Sequence, residues 1–148
     1  MTPEIRIQPE DFEPGAEIAR LEGLGGGAVA TFTGLVRGEG GIRTMGLEHY
    51  PGMTEKALGG IADQAAARWA LAGVTIIHRV GRLGPGARIV FVGTASHHRR
   101  DAIEAMHFII DWLKTDAPFW KREEFADGRS EWVAARAADD AARDRWSG

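Results

Sequence analysis

The sequence contains no cysteine. Disulfides, thiolate metal centres, a cysteine nucleophile and a persulfide carried on this chain are therefore all excluded. Lysine is scarce: of 18 basic residues, only Lys56, Lys114 and Lys121 are not Arg. A chain this rich in Arg does not need ammonium groups for solubility, so a surviving Lys invites a role for a compact amine with an adjustable pKa. Codon bias would leave the same pattern. No apolar run approaches the roughly 18 residues that span a bilayer. Met1 to Arg6 lacks the basic region and apolar stretch of a secretory signal. A cytoplasmic protein without membrane contact is expected. A cationic excess is missing too: the net charge of -3 argues against a general nucleic-acid binder. The sequence has no repeat, low-complexity tract, linker or Gly-Lys-Ser/Thr phosphate loop.

What is there is ordinary globular composition, 148 residues with 44% hydrophobic and 26% charged, enough for one core. A single α+β domain over residues 1–148 is expected. Glu4 to Gln8 alternates as a strand, and Ile18 to Leu24 suits a short helix stopped by Gly25-Gly26-Gly27. Ala28 to Val36 is β-rich. Gly38 to Gly41 reads as a loop, after which Thr44 to Tyr50 reads as the returning strand. Pro51-Gly52 precedes a helical pattern from Thr54 to Trp69. Val74 to Val80 and Arg88 to Ala95 flank a Gly84-Pro85-Gly86 turn. Arg99 to Lys114 is the clearest helix, with Ala102, Met106, Ile109 and Leu113 on one stripe and Ile103 and Ile110 beside it. Pro118 ends it. Phe119 to Phe125 and Ser130 to Ala134 flank Asp127-Gly128 as a hairpin, and Asp139 to Trp146 is weakly helical.

Three places carry chemistry. His97-His98-Arg99-Arg100 opens the long helix, where cations are unfavourable unless an anion such as phosphate shares the free N–H groups. A solvated turn compensated by Asp101 and Glu104 explains the same residues. Metal binding by His97 and His98 is disfavoured, because adjacent histidines seldom reach one ion and no third ligand is nearby. Arg37 stands at a strand end beside a glycine loop, where it is either an anion clamp or a surface cation. Lys114 and Lys121 bracket a proline turn with Phe119 and Trp120 between them. Lys114 at a helix C-terminus has a structural reason to be there. Beside an aromatic wall, however, an amine can lose its proton and act as nucleophile, acid or base. Strand alternation places Phe119 and Lys121 on one face, Trp120 and Arg122 on the other.

The segments FTGLVRGEGG, LEHYPGMTEKAL, HRVGRLGPG, SHHRRDA, LKTDAPFWKRE and EWVAAR resemble, in the same order, those of the molybdopterin synthase large-subunit family. The resemblance runs over about Ala28 to Arg136. It implies an α/β hammerhead-type fold with an additional antiparallel β-sheet, and a homodimer at the centre of a 2:2 heterotetramer. The partner implied is a small ubiquitin-like sulfur carrier with a C-terminal Gly-Gly thiocarboxylate, and the substrate is cyclic pyranopterin monophosphate. Two sulfurs are transferred in turn to make the dithiolene of molybdopterin, with no cofactor. Carried over position by position, Lys114 and Lys121 match the catalytic lysines. Arg37, His98, Arg99 and Arg136 match anion- or substrate-binding positions, some of them reaching across the dimer. Asp116 departs from the family pattern and makes the lysine turn less positive. Two other classes fit the same residues: a phosphate-binding module that does not use the lysines, and a structural subunit whose loop only docks a small partner.

Overall fold

The computed structural model describes residues 1–132 and 137–146. Eight strands and four helices are seen among them: β1 (Glu4–Gln8), α1 (Pro14–Glu22), β2 (Ala28–Leu35), β3 (Ile42–His49), α2 (Met53–Arg68), β4 (Leu71–Arg79), β5 (Gly81–Leu83), β6 (Arg88–Ser96), α3 (Arg99–Leu113), β7 (Phe119–Phe125), β8 (Ser130–Trp132) and α4 (Ala137–Asp144). The strands form two four-stranded sheets. The first has order β1-β4-β6-β2 and the second β5-β3-β7-β8. In the first sheet β1 lies parallel to β4, and the other pairs are antiparallel. The second is antiparallel throughout. This is the α+β architecture with an extra antiparallel sheet that the sequence led us to expect.

Alternation along the central strands divides the core. Val74, Ile76, Val90 and Val92 face α2 and α3, and pack on Leu58, Ile61, Ala105 and Ile109. Ile77, Phe91 and Ala95 face the other way, onto Phe12 and Leu21 under α1. Both faces of these strands are buried, which is why they read as near-continuous apolar runs. A third cluster, Val36, Leu47 and Leu83, joins the second sheet to the end of β2.

Two expectations are corrected. β3 does not return beside β2: a 3₁₀ turn at Glu39–Gly41 carries the chain across to the second sheet, where β3 pairs with β5 and β7. Leu47 there closes on Val36 and Leu83 and is 1% exposed, a burial it finds in the second sheet. Ile103 is 52% exposed, whereas Ala105 and Phe108 are buried. The buried stripe of α3 is Ala102, Ala105, Ile109 with Phe108 beside it, and Ile103 is rotated about 100° away from Ala102.

The glycine run after α1 does more than stop a helix. A Cβ on Gly26 or Gly27 would run into the backbone of Ser96 or His97, and Gly27 N–H donates to the Ser96 carbonyl at 2.9 Å. These glycines let β2 start against the end of β6.

Candidate active site

The floor of the site is one row across the first sheet. His78 is paired with Val90, and Val90 with Gly34. A Cβ on Gly34 would stand 2.7 Å from Val90 Cγ1 and 3.2 Å from Phe32 Cε1. Glycine there keeps the row low and leaves a hollow above it. The register slips immediately afterwards, since Gly34 faces Val90 but Leu35 faces Arg88. Such a bulge bends the strand end and re-aims the residues beyond it. Val36 N–H then donates to the Ala87 carbonyl and Gly86 N–H to the Val36 carbonyl, each at 2.9 Å. This clasp holds Arg37 at the rim.

The roof is the last turn of α3. Ile110 and Leu113 cover the hollow, and Lys114 caps the helix, its N–H donating to the Ile110 carbonyl at 3.1 Å. Thr115 Oγ1 donates to the Asp111 carbonyl at 3.1 Å and Asp116 N–H to the Trp112 carbonyl at 2.8 Å, which winds the chain into Pro118. β7 then starts with Phe119 opposite His49 and brings Lys121 opposite Leu47. Lys121 is half-buried and Trp120 turns outward, as alternation requires. Arg37, Lys114 and Lys121 thus line one pocket of roughly 200 Å³, with Phe32, Thr33, Ile89 and Val90 as its walls. Two of the three lysines in the chain meet here.

His78 lies in the same pocket and was not singled out from the sequence. It is 5% exposed, its ring is stacked on Phe119 with centroids 3.7 Å apart and planes at 15°, and Nδ1 lies 2.7 Å from the Arg79 carbonyl oxygen. Burial drives its pKa from 6.5 down to about 3. The nearby positive charges of Lys121, Lys114 and His49 push the same way, and the Arg79 hydrogen bond only partly opposes them. The imidazole is therefore neutral at physiological pH. A sequence signal existed: after Val74 and Ile76, alternation puts the next even position on the core face, where a histidine is out of place without a task.

The remaining expected site residues lie elsewhere. His98 and Arg99 are exposed at the first turn of α3. Lys114 follows the whole length of α3, fifteen residues after Arg99, a span of roughly 22 Å. One chain does not bring them to its own lysine pocket. His98 is the N-cap without a side-chain cap bond, and Arg100 Nε pairs with Glu104 Oε1 at 3.2 Å, the compensation expected at this helix start. Arg136 lies outside the described residues. Asp116 is held by Arg143 Nη1 at 2.7 Å, so its charge is engaged there.

Fold and pocket define a class: a two-sheet α+β protein whose cleft gathers an arginine, two lysine amines and a neutral imidazole. Comparison with known proteins gives the family. Residues 7–116 match the family model described as MoaE protein. The chain is 52% identical over 147 residues to the molybdopterin synthase catalytic subunit of Pseudomonas aeruginosa, covering 96% of this chain and 97% of that one. It is 52% identical over 146 residues to the molybdopterin synthase catalytic subunit of Escherichia coli K12, covering 96% and 97%. A solved structure of the molybdopterin biosynthesis MoaE protein from Burkholderia ambifaria matches with a TM-score of 0.85 at 50% identity, covering 99% of each chain. The chain belongs to the MoaE family.

Proposed function

We propose that this chain is the catalytic subunit of a molybdopterin synthase, a sulfurtransferase of molybdenum cofactor biosynthesis. It moves sulfur from the C-terminal thiocarboxylate of a small ubiquitin-like subunit to cyclic pyranopterin monophosphate and so builds the dithiolene of molybdopterin. The observation that carries this reading is the meeting of Arg37, Lys114 and Lys121 in one hollow of a chain from this family. A phosphorylated pterin and a peptide carboxyl terminus are both anionic, and three cations lining one pocket suit both. With no cysteine, the chain has no thiol on which to hold sulfur itself, so the sulfur must arrive on a partner. The thiocarboxylate sulfur bonds to a carbon of the pterin side chain as the C–O bond of that carbon breaks, its oxygen leaving with a proton. Water then cleaves the acyl C–S bond, leaving sulfur on the pterin and a carboxylate on the donor. A second loaded donor repeats the step. Lys114 positions or transiently captures the donor carbonyl, and Lys121 assists proton transfer at the pterin.

Residues 1–148 act as one cytoplasmic domain in this reading. Among the described residues no helix is long and apolar enough to cross a membrane. The chain works as a homodimer at the centre of a 2:2 complex. His98 and Arg99, remote from the lysines of their own chain, complete the anion site of the other copy, and Arg136 contributes to substrate binding. The small volume of the pocket supports this, because sites for organic ligands usually enclose about 300–1,000 Å³. The test is reconstitution: purified chain, thiocarboxylated partner and cyclic precursor should yield molybdopterin. Replacing both lysines should abolish product while partner and pterin still bind. Unchanged turnover in that variant would take the lysines out of the chemistry and leave them a docking or binding role.

A further inference from the structure

Arg37, Lys114 and Lys121 in their charged forms only donate hydrogen bonds. His78 differs. The Arg79 carbonyl can only accept, so Nδ1 at 2.7 Å carries the proton and Nε2 keeps its lone pair. The stack on Phe119 fixes the plane of the ring, and the pairing of His78 with Val90 fixes its place in the pocket floor. The pyrimidine part of a pterin is flat, and its edge carries N–H and amine donors. Apolar walls such as Phe32, Val90 and Leu113 suit its faces, and cations suit its phosphate. Its donor edge needs an acceptor, and a buried donor left unpaired is costly.

We infer that His78 is a specificity-determining residue of this site, its Nε2 accepting a hydrogen bond from an N–H on the edge of the bound pterin and so setting the orientation of the ring. This deepens the proposed function and rests on it. Burial keeps the imidazole uncharged down to about pH 3, so the acceptor persists across any working pH.

The experiment measures binding of cyclic pyranopterin monophosphate to the complex assembled with unloaded small subunit, together with steady-state kinetics using the loaded one. His78→Phe preserves an aromatic ring against Phe119 but removes the acceptor. It should raise the pterin Kd and KM by about tenfold, move kcat less, and leave small-subunit affinity within about twofold. His78→Gln, which restores an acceptor, should recover much of the loss. In the wild-type complex the Nε2 resonance in nitrogen NMR should move when the pterin is added. This arm decides the matter even if a variant fails to fold. A folded His78→Phe complex that binds the pterin as tightly as wild type overturns the inference, as does an Nε2 resonance that stays put. Wild type that binds pterin and forms product while His78→Phe matches it removes only His78. Wild type that does neither removes the proposed function and the inference with it.

Discussion

Lys114 and His78 show how two neighbours in one pocket are set by different forces. Lys114 is placed by a helix C-terminus, where a cation is favoured whatever its chemistry. Lys114→Arg keeps that charge and should leave thermal unfolding nearly unchanged. It removes an amine able to lose a proton, so molybdopterin formation should fall by about 100-fold, roughly 2.7 kcal/mol of barrier. Near-normal product from the folded variant would shift the amine chemistry to Lys121. His78 is placed by burial, and that has a consequence for stability. Its pKa is depressed from 6.5 to about 3. Between those values the unfolded chain binds a proton that the folded chain refuses, so stability rises with pH across this window. His78 alone should cost on the order of a few kcal/mol as pH falls from 6.5 towards 3. In denaturant titrations the stability of wild type relative to His78→Phe should fall as pH drops from 6.5 towards 3; parallel pH curves would contradict the burial argument.

At the scale of elements, β2 and α3 each contribute one small structural decision to the pocket. In β2 it is the missing side chain of Gly34. Gly34→Ala forces Val90 and Phe32 aside, at a cost of roughly 1–3 kcal/mol for overpacking, and fills part of the hollow. Lower melting temperature with weaker pterin binding is expected, and wild-type values for both would show that the floor yields easily. In α3 the decision is Asp111, 7% exposed, which accepts from Trp146 Nε1 at 2.7 Å and Arg145 Nη2 at 3.1 Å. Together with the Asp116–Arg143 pair, these bonds hold the segment containing α4 against α3, one turn from Lys114. Asp111→Ala leaves a partly buried indole N–H unpaired and should cost roughly 1–3 kcal/mol. Limited proteolysis should then cut first near α4; uniform resistance would mean that packing of Trp146 on Trp69 and Phe108 suffices by itself.

For the whole molecule, the separation of the two cationic groups matters most. His98 and Arg99 open α3 and Lys114 ends it, so a straight helix keeps them apart in one chain. If a second copy supplies the first pair, an Arg99→Ala chain and a Lys114→Ala chain should each be inactive as homodimers. Mixed after dissociation, they should recover up to about a quarter of wild-type activity, because half of the random dimers carry one intact site. No recovery from verified mixed dimers would show that Arg99 does not reach the lysine pocket of the other copy. Mass measurement should find a dimer alone and a 2:2 complex with the small subunit; a monomer that stays 1:1 would refute the assembly.

Local signals in the sequence determined the elements. Turn chemistry at Gly84-Pro85-Gly86, the proline at 118 and the periodicity of residues 99–114 act within a few residues of themselves, and β6, α3 and β7 stand where those patterns placed them, whereas α1 begins four residues before its apolar pattern and the three-residue β5 had no signal of its own. The lysine pair was legible for the same reason: a short proline turn separates Lys114 from Lys121. Tertiary structure decided what depends on register between distant strands. β3 joined the second sheet because Leu47 finds Val36 and Leu83 there, a burial that no local pattern encodes. His78 entered the pocket because β4 pairs with β6 and β6 with β2, which sets His78, Val90 and Gly34 in one row. His98 and Arg99 left it because helix length fixes distance absolutely, whereas a motif records only order along the chain.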